Sequence, residues 1–252
     1  MLLAIDIGNT NIVLGVFDGE KLVSSTRLST NNTETEMEYS VKIKAFFDFH
    51  GIEDIDGAIM CSVVPSLVRT LKRAIRIVCG VEVLVVGPGL KTGLDIHIDN
   101  PSELGTDIVA GNVATINKYP LPAIVFDFGT ATTASVIDKN GACLGCAIMC
   151  GVKTAIRSLA SGTSLLHDID ISAPQNVIGK NTIDSMKSGS VLGTAAMLEG
   201  MVSRFEKELR EKATVIATGG LGKSIARNCN IDVIVDDNLL LDGLRIIYEK
   251  NI

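Results

Sequence analysis

The sequence predicts an α/β protein made of two similar halves, and three observations support this fold class. A short apolar run ending in Asp6-x-Gly8 is followed by a second apolar run, and the same order recurs around Asp127-x-Gly129. Each copy continues into a third strand-like run and then into alternating helical and strand-like segments. The paired aspartates are 127 − 6 = 121 positions apart in a chain of 252 residues. We therefore predict two domains, at residues 1–118 and 119–252.

The first half begins with three predicted strands at residues 2–6, 12–17 and 21–28, of which the last two are joined by a hairpin turn at Asp18-Gly19. A helix over 33–49, with Thr33 or Thr35 as its N-cap, a strand over 58–61 and a helix from Pro65 to about residue 79 follow. A strand at 81–86 comes next. Beyond Asn100 and Pro101 we predict a further helix, because apolar residues then recur at helical spacing.

The second half repeats this order of elements. We predict strands at 123–127, 132–137 and 142–149, a helix from about 152 to 159, and a long amphipathic stretch over 178–211. A strand at 214–217 ends in Thr218-Gly219-Gly220, a turn that can bring the backbone close to a ligand. A short strand and a final helix over 239–250 complete the half.

The two Asp-x-Gly turns carry groups that suit a phosphate. Gly8 and Gly129 allow backbone angles that a side chain would forbid, so the main chain can approach a ligand closely. The neighbouring amides and the polar side chains can donate hydrogen bonds to phosphate oxygens. These side chains are Asn9, Thr10, Thr130 and Thr132. Asp, Gly, Asn and Thr also form ordinary hairpin turns, but the occurrence of two copies favours the binding function.

Three aspartates are candidates for chemistry. Asp6 and Asp127 end predicted strands, where a carboxylate can hold a hydrated divalent ion or a monovalent cation. Asp107 stands just before the apolar face of a helix, where it could serve as general base towards a substrate hydroxyl. It could equally be a first-turn residue favoured by the helix dipole.

The composition excludes several classes of partner. Hydrophobic residues make up 46% of the chain, charged residues 21%, and the net charge is −6 with a pI near 5.1. No basic run suggests a nucleic-acid surface, and no apolar stretch is long enough to span a membrane. The first residues do not fit a signal peptide, so we expect a cytoplasmic protein.

Three of the six cysteines are clustered, at Cys143, Cys146 and Cys150. The spacing allows a zinc or iron–sulfur site, but a fourth ligand is missing nearby. A strand through this segment would place the three thiols on different faces. We expect reduced thiols rather than a metal site.

Paired Asp-x-Gly turns in duplicated α/β halves resemble the actin-like ATPase and sugar-kinase superfamily, whose domains have the ribonuclease H-like fold. The resemblance implies a nucleotide cleft between two such domains, with phosphates at both glycine turns and a later Gly-Gly turn near the adenosine. A fold alone does not give a reaction.

Six motifs in order make the chain similar to type III pantothenate kinases over almost its whole length. They are Asp6-Ile-Gly-Asn-Thr10, Cys61-Ser-Val-Val-Pro65, Asp99-Asn-Pro-x-Glu-Leu-Gly-x-Asp107, Asp127-Phe-Gly-Thr-Ala-Thr-Thr133, Gly179-Lys-Asn-Thr182 and Ala217-Thr-Gly-Gly220. The resemblance implies ATP-dependent phosphorylation of pantothenate to 4′-phosphopantothenate, the first step of coenzyme A biosynthesis. It also implies a homodimer that uses Mg²⁺ with ATP and a monovalent cation, K⁺ or NH₄⁺.

The same resemblance assigns roles to individual residues. Asp107 would be the general base, Asp6 would hold magnesium, and Asp127 would contribute to the monovalent cation site. The residues implied for ATP are Asp6, Gly8, Asn9, Thr10, Asn11, Gly129, Thr130, Thr132, Gly219 and Gly220. Those implied for pantothenate are Gly105, Thr106, Asp107, Ile108 and Thr182.

The chain departs from the family pattern at Gly145-Cys146 and Cys150-Gly151, where Gly-Gly and Pro-Gly are usual, and at two positions on the substrate side. Ile108 stands where the family usually has Arg, so a cation for the pantothenate carboxylate is missing, and Ile98 stands where an aromatic residue is usual. Loss of a charge-assisted contact costs about 1.5–3 kcal/mol. An ATP-binding regulatory paralogue, or a kinase of another small hydroxylated substrate, is therefore the alternative function. Lys153 and Arg157 are candidates for a replacement cation.

Overall fold

A computed structural model describes all residues from 1 to 252, and it contains eleven strands and eight α-helices. The strands are β1 (Leu2–Ile7), β2 (Asn11–Asp18), β3 (Lys21–Ser29), β4 (Gly57–Ser62), β5 (Val83–Val85), β6 (Asp95–Ile96), β7 (Ala123–Phe128), β8 (Ala131–Ile137), β9 (Ala142–Cys150), β10 (Thr214–Thr218) and β11 (Ile234–Val235). The helices are α1 (Glu36–His50), α2 (Pro65–Cys79), α3 (Thr106–Lys118), α4 (Val152–Gly162), α5 (Thr182–Lys187), α6 (Gly193–Leu209), α7 (Gly222–Ala226) and α8 (Leu239–Glu249). A 3₁₀ turn (Pro101–Glu103) precedes α3, and a π-helical segment (Ser188–Leu192) joins α5 to α6.

The two sheets have the same internal order, which confirms the predicted duplication. One sheet has the order β3-β2-β1-β4-β5, and the other contains β9-β8-β7-β10-β11. In both, the first three strands form an antiparallel meander, and the fourth strand pairs in parallel with the first. The second sheet gains one short strand, because β6 pairs in parallel with the free edge of β9.

The helix ends follow local sequence. Thr35 is the N-cap of α1, and its backbone amide donates to Glu38 at 2.7 Å while Glu38 N donates back to the Thr35 hydroxyl at 3.4 Å. This capping box satisfies amides that would otherwise lack partners. Helix α2 starts at Pro65 and ends before Gly80, whose φ of 72° suits a left-handed helix end. None of the helices combines the length and apolar character needed to cross a bilayer.

The chain forms two compact units that are not its two continuous halves. The first unit contains residues Met1–Leu94, Asn100–Ala114 and Leu239–Ile252. The second contains residues Asp95–Asp99 and Thr115–Asn238. This division differs from the predicted boundary at 118/119, chiefly because α8 belongs with the first unit.

Close packing explains why α8 belongs to the first unit. The helix packs against β1, β2 and β4. A side chain at Gly57 of β4 would overlap the Tyr248 ring, and one at Gly243 of α8 would overlap the Ala110 carbonyl. These contacts depend on residues distant in sequence, so local patterns did not predict them.

Each unit has its own apolar core. In the first unit the core contains Leu3, Ile5 and Ile7 of β1, packed with residues of α1 and α2. In the second unit the rings of Phe126 and Phe128 stack with centroids 6.1 Å apart beneath α4 and α6. A core of this kind fixes the strand ends that carry the polar residues.

Candidate functional site

The first Asp-x-Gly turn is held by hydrogen bonds on both sides. Gly8 N donates to the Asn11 carbonyl at 2.9 Å, which closes the turn between β1 and β2. The Thr30 hydroxyl donates to the Gly8 carbonyl at 2.6 Å, and Thr30 N donates to the Thr10 carbonyl at 3.0 Å. Asn9 and Thr10 are exposed at the tip. The backbone is therefore fixed while the polar side chains remain accessible to a ligand.

The glycines of both turns are needed for space rather than for unusual angles. The prediction that Gly8 and Gly129 adopt angles forbidden to other residues is not supported, because neither has a positive φ. A Cβ atom would instead lie 3.1 Å from the Asn11 carbonyl at Gly8 and 3.3 Å from the Ala131 carbonyl at Gly129.

Asp6 is a partly buried carboxylate at the end of β1. The Cys61 thiol on neighbouring β4 donates to its Oδ1 at 3.3 Å. Burial raises the pKa of Asp6 to about 6, the Cys61 hydrogen bond opposes this shift, and the negative charge of Asp107 adds to it. Arg27 lowers the pKa least. The site therefore holds negative charge that protein cations neutralise poorly.

Asp107 is the second residue of α3. Its Oδ1 accepts a hydrogen bond from Ile108 N at 2.8 Å. Burial raises the pKa of Asp107, although the amides of Ile108 and of Asp107 itself act in the opposite direction. A Cβ atom at Gly105 would overlap this carboxylate oxygen, so glycine there gives the carboxylate its place at the start of the helix.

Thr106 and Ile108, both implied to contact the substrate, have different surroundings. The Thr106 hydroxyl accepts from Ser62 N at 3.1 Å and donates to the Ser62 carbonyl at 3.1 Å. The proton and one acceptor position of this hydroxyl are thus used within the protein. Ile108 is partly exposed, whereas Val109 and Ala110 after it are buried. Ile108 is therefore not the first core residue of α3.

The second Asp-x-Gly turn is supported from α4. Gly129 N donates to the Ala131 carbonyl at 3.1 Å, and the Thr154 hydroxyl donates to the Thr130 carbonyl at 2.7 Å. A side chain at Gly151 would overlap the carbonyls of both turn residues. Gly129 and Thr130 are exposed, as are Asn9 and Thr10 in the first unit.

Asp127 and the Gly219-Gly220 turn lie together in the second unit. Strand β10 pairs with β7 so that Thr218 is opposite Asp127. Gly219 has a φ of 82°, and a Cβ atom there would overlap the Asp127 carboxylate and lie 2.8 Å from Phe128 N. The two motifs, 92 residues apart (219 − 127), are thus brought into contact.

Thr132 does not lie on the open side of its turn. Only 1% of the residue is exposed, and its partner across the hairpin is Phe128, which faces the core. Its buried hydroxyl oxygen has no hydrogen-bond partner. Thr132 is therefore placed for packing beneath the turn, and a nucleotide cannot reach it without rearrangement.

Thr182 lines a cavity of about 750 Å³ in the second unit. Lys180 and Asn181 also line it, and α4 contributes Val152 and Leu159. Two residues of the π-helical segment, Gly189 and Ser190, also line the cavity. A π-helical segment within a helix is common at functional sites. Lys153 and Arg157, which we considered as cations, are exposed and do not line this cavity.

The clustered cysteines are separated by the strand that carries them. Cys143 is buried, whereas Cys146 and Cys150 are exposed on β9. Ile98 lies near Gly145 of the same strand. No group of three or more His, Cys, Asp or Glu side chains is arranged to hold a metal ion.

Sequence reasoning missed the residues that hold the site in position. Thr30, Cys61 and Thr154 each bond to a site residue 22 to 55 positions away. Thr30 lies two residues after the strand predicted at 21–28, and Cys61 lies in one of the six motifs. The sequence did not indicate which residues they bond to, because that pairing depends on the tertiary fold.

Solved structures define the fold class. A 2-hydroxyisocaproyl-CoA dehydratase activator from Clostridium difficile, solved with bound ADPNP, matches with a TM-score of 0.59 and 15% identity over 98% of this chain and 93% of that chain. A ROK family glucokinase from Streptomyces griseus, solved with glucose and AMPPNP, matches with a TM-score of 0.53 and 14% identity over 99% and 98%. At identities this low, the two matches show only that the fold is shared. The chain has the fold of the actin-like ATPases, which confirms the predicted class.

Sequence relatives define the family within this class. A family model described as type III pantothenate kinase matches residues 2–204. A Type III pantothenate kinase from an Exiguobacterium species is 45% identical over 253 residues, which cover 100% of this chain and 99% of that protein. This chain belongs to the type III pantothenate kinase family.

Proposed function

We propose that this protein transfers a phosphoryl group from ATP to pantothenate, giving 4′-phosphopantothenate in the first step of coenzyme A biosynthesis. The family relationship over the full length supports this activity. The structural observation that carries it is the pair of carboxylates Asp6 and Asp107, close enough for the charge of one to raise the pKa of the other, beside an exposed glycine turn. The relatives do not favour the alternative of a regulatory paralogue or another substrate.

Asp107 is the proposed general base. Its pKa is raised by burial, so it binds a proton more readily than an exposed aspartate does. The amides of Ile108 and Asp107 oppose this increase in pKa, because they favour the ionised form that accepts a proton. Phosphoryl transfer depends mainly on positioning and on neutralisation of charge, so one carboxylate that removes or orients the hydroxyl proton is chemically sufficient.

Asp6 is the proposed ligand of the magnesium that accompanies ATP. The fit is supported by two partly buried carboxylates with little compensating positive charge around Asp6. Oxygen ligands of this kind suit Mg²⁺. When bound, the ion would supply charge neutralisation for the phosphates, while the backbone of the Gly8 turn and the Asn9, Thr10 and Asn11 side chains would orient them.

Asp127 is proposed to contribute to a site for K⁺ or NH₄⁺ in the second unit. It ends β7 beside the exposed turn Gly129-Thr130 and touches Gly219, so carboxylate, hydroxyl and carbonyl oxygens are all nearby. We propose that Gly129, Thr130 and the Gly219-Gly220 turn contact ATP. Replacing K⁺ by Na⁺ should lower the turnover of the wild type. The turnover of Asp127→Asn should be the same with either ion.

Thr182 is proposed to contact pantothenate from the wall of its cavity, with Lys180 as a cation for the carboxylate. Lys180 lines the same cavity as Thr182, which makes it a better candidate than Lys153 or Arg157. Lys180→Met should raise the Michaelis constant for pantothenate about tenfold, as loss of a charge-assisted bond predicts. The same substitution should change little the Michaelis constant for the neutral alcohol analogue of pantothenate, which has no carboxylate. Equal effects on both compounds would contradict the assignment.

A homodimer is proposed on the basis of apolar side chains exposed in the second unit. Ile148, Leu165 and Ile178 are 71%, 83% and 81% exposed, and Val177 and Ile183 are also largely exposed. Covering these side chains in an interface would remove apolar surface from water, which favours association. Light scattering of the purified protein should give twice the chain mass of 26.7 kDa, and a monomeric mass at assay concentrations would contradict this proposal.

The decisive assay measures phosphate transfer from radiolabelled ATP with and without pantothenate. The wild type should show turnover that depends on pantothenate. Asp107→Asn should lower kcat by at least about a hundredfold, because general acid–base catalysis contributes that much, while ATP binding changes little. Asp54→Asn, at an exposed carboxylate of the same unit, is the matched control. Turnover near the wild-type value in Asp107→Asn would exclude Asp107 as the base.

A further inference from the structure

The end of β4 bonds to Asp6 and to Thr106, the residue before Asp107. Cys61 lies opposite Asp6 in the parallel pair of β4 and β1, and its thiol donates to the Asp6 carboxylate at 3.3 Å. The next residue, Ser62, is bonded to Thr106 at the start of α3. Two consecutive residues therefore connect Asp6 to the helix that carries Asp107.

The bond between Ser62 and Thr106 is reciprocal. The Thr106 hydroxyl accepts from the Ser62 amide and donates to the Ser62 carbonyl, both at 3.1 Å, across 44 positions of sequence. One hydroxyl thus satisfies both main-chain groups at the carboxyl end of a strand. Valine has the same shape but can make neither bond, whereas serine can make both.

We propose that Thr106 is a positioning residue, whose two hydrogen bonds to Ser62 fix the Asp107 carboxylate relative to Asp6. This inference rests on the proposed function, because it assigns a residue to the same reaction. In this role Thr106 acts through Asp107 rather than by donating a hydrogen bond to the substrate, since its one hydroxyl proton goes to the Ser62 carbonyl.

The geometry of the two carboxylates matters because they act on opposite ends of the transfer. Asp6 serves the phosphate side and Asp107 the hydroxyl side, so a change in their separation misaligns the attacking oxygen and the phosphorus. Helix α3 starts at Thr106, so the two bonds to Ser62 of β4 hold its first turn in place. Loss of that contact affects Asp107 most, since it is the adjacent residue.

The first test compares Thr106→Val with Thr106→Ser. The valine variant should lower kcat at least about tenfold with the Michaelis constant for ATP within about twofold, because a displaced base loses transition-state interactions only. The serine variant should keep at least about a third of the wild-type kcat, because it retains both bonds. Thr70→Val on α2, where no side-chain hydrogen bond is lost, is the matched control for the substitution itself.

A double-mutant cycle separates positioning from a general structural effect. In the Asp107→Asn background, Thr106→Val should change the residual turnover less than about threefold, because residues that act as a unit are strongly non-additive. An equal loss in both backgrounds would show that Thr106 acts without Asp107 and would overturn the inference.

Amide hydrogen exchange gives a readout that does not need turnover. Thr106→Val should increase exchange in the first turn of α3, at Val109 and Ala110, and Thr106→Ser should not. If the wild type lacks pantothenate-dependent turnover, the proposed function fails, and exchange alone then decides whether Thr106 fixes α3. If the wild type is active but Thr106→Val keeps both its kcat and its protection, only this inference fails.

Discussion

Single residues in the proposed active site are placed at a cost to the stability of the protein. Asp6 is the clearest case, because folding removes its carboxylate from water and brings it near Asp107. Because folding raises the pKa of this carboxyl from 3.8 to about 6, the cost to stability grows as the pH rises through that interval and is fully present above it. At neutral pH the ionised Asp6 therefore opposes folding unless a cation is bound.

Asp6→Asn should separate function from stability. Without nucleotide or divalent cation, this variant should be more stable than the wild type at pH 7.5, by up to about 3 kcal/mol for a shift of about two pKa units. It should lose most of its turnover. Chemical denaturation at pH 7.5 measures the stability, with Asp18→Asn at an exposed position as control. A less stable Asp6→Asn would mean that the carboxylate is compensated within the protein.

Gly105 provides a second prediction at this scale. In Gly105→Ala the added methyl group would occupy the place of the Asp107 carboxylate oxygen, and the nearest obstacle is this movable side chain rather than backbone. We expect kcat to fall at least about tenfold, as displacement of a general base implies. The melting temperature should stay within a few degrees.

The control for this prediction is Gly87→Ala, where an added methyl group meets no atom within 4 Å. Gly105→Ala with normal kcat would indicate that Asp107 tolerates another orientation. Loss of stability together with activity would indicate a packing role for Gly105.

The elements that the sequence predicted best are those whose first or last residues themselves favour a helix or strand end. Helix α2 was predicted at its observed bounds, because Pro65 and Gly80 favour a helix start and end wherever they occur. Asp6 and Asp127 were also placed correctly at strand ends, since buried strands followed by Asp-x-Gly are recognisable locally. The position of Thr132 beneath its turn was not predicted, because only the pairing of β7 with β8 turns it towards Phe128.

Contacts between elements also determine how stability depends on pH. Asp236, after β11, accepts hydrogen bonds from Lys118 at 2.6 Å and from Tyr119 at 2.7 Å. Burial alone would raise the pKa of Asp236, but these bonds and the lysine charge hold it below its ordinary value. A lowered pKa contributes stability above the unfolded value of 3.8, and this stability is lost as the pH falls through the folded pKa.

Asp236→Asn should therefore destabilise the protein at pH 7 by about 1–3 kcal/mol, the range for a hydrogen bond to a charged group. The difference from the wild type should decrease below about pH 4, where the wild-type carboxyl becomes protonated. Thermal unfolding from pH 3 to pH 8 measures this. Asp237→Asn, at the exposed neighbour, should show no such trend, and parallel curves for Asp236→Asn and the wild type would contradict the assignment.

At the scale of the whole molecule, the second unit is inserted into the sequence of the first. The first unit takes residues from both sides of Thr115–Asn238, and α8 supplies part of the surface against β1, β2 and β4. The duplicated motifs predicted two continuous halves. They could not predict the assignment of α8, because its contacts at Gly57 and Gly243 are made across more than a hundred residues.

A chain that ends at residue 118 should therefore fail to fold cooperatively. It lacks α8, so apolar surface of β1 and β4 would be exposed. Joining residues 239–252 to it through a flexible Gly/Ser linker should restore a cooperative thermal transition. Near-UV circular dichroism and dye binding distinguish the two chains. A cooperative transition in the chain 1–118 alone would show that α8 is dispensable.

The insertion also has a consequence for biosynthesis. Residues 239–252 leave the ribosome after every residue of the second unit. The second unit can therefore be synthesised completely while the strands of the first unit still lack α8. During this interval the first unit is incomplete, with an apolar sheet face available to chaperones or to other chains. Conditions that slow translation between residues 115 and 238 should therefore increase aggregation through the sheet of the first unit, although that sheet is made before the second unit.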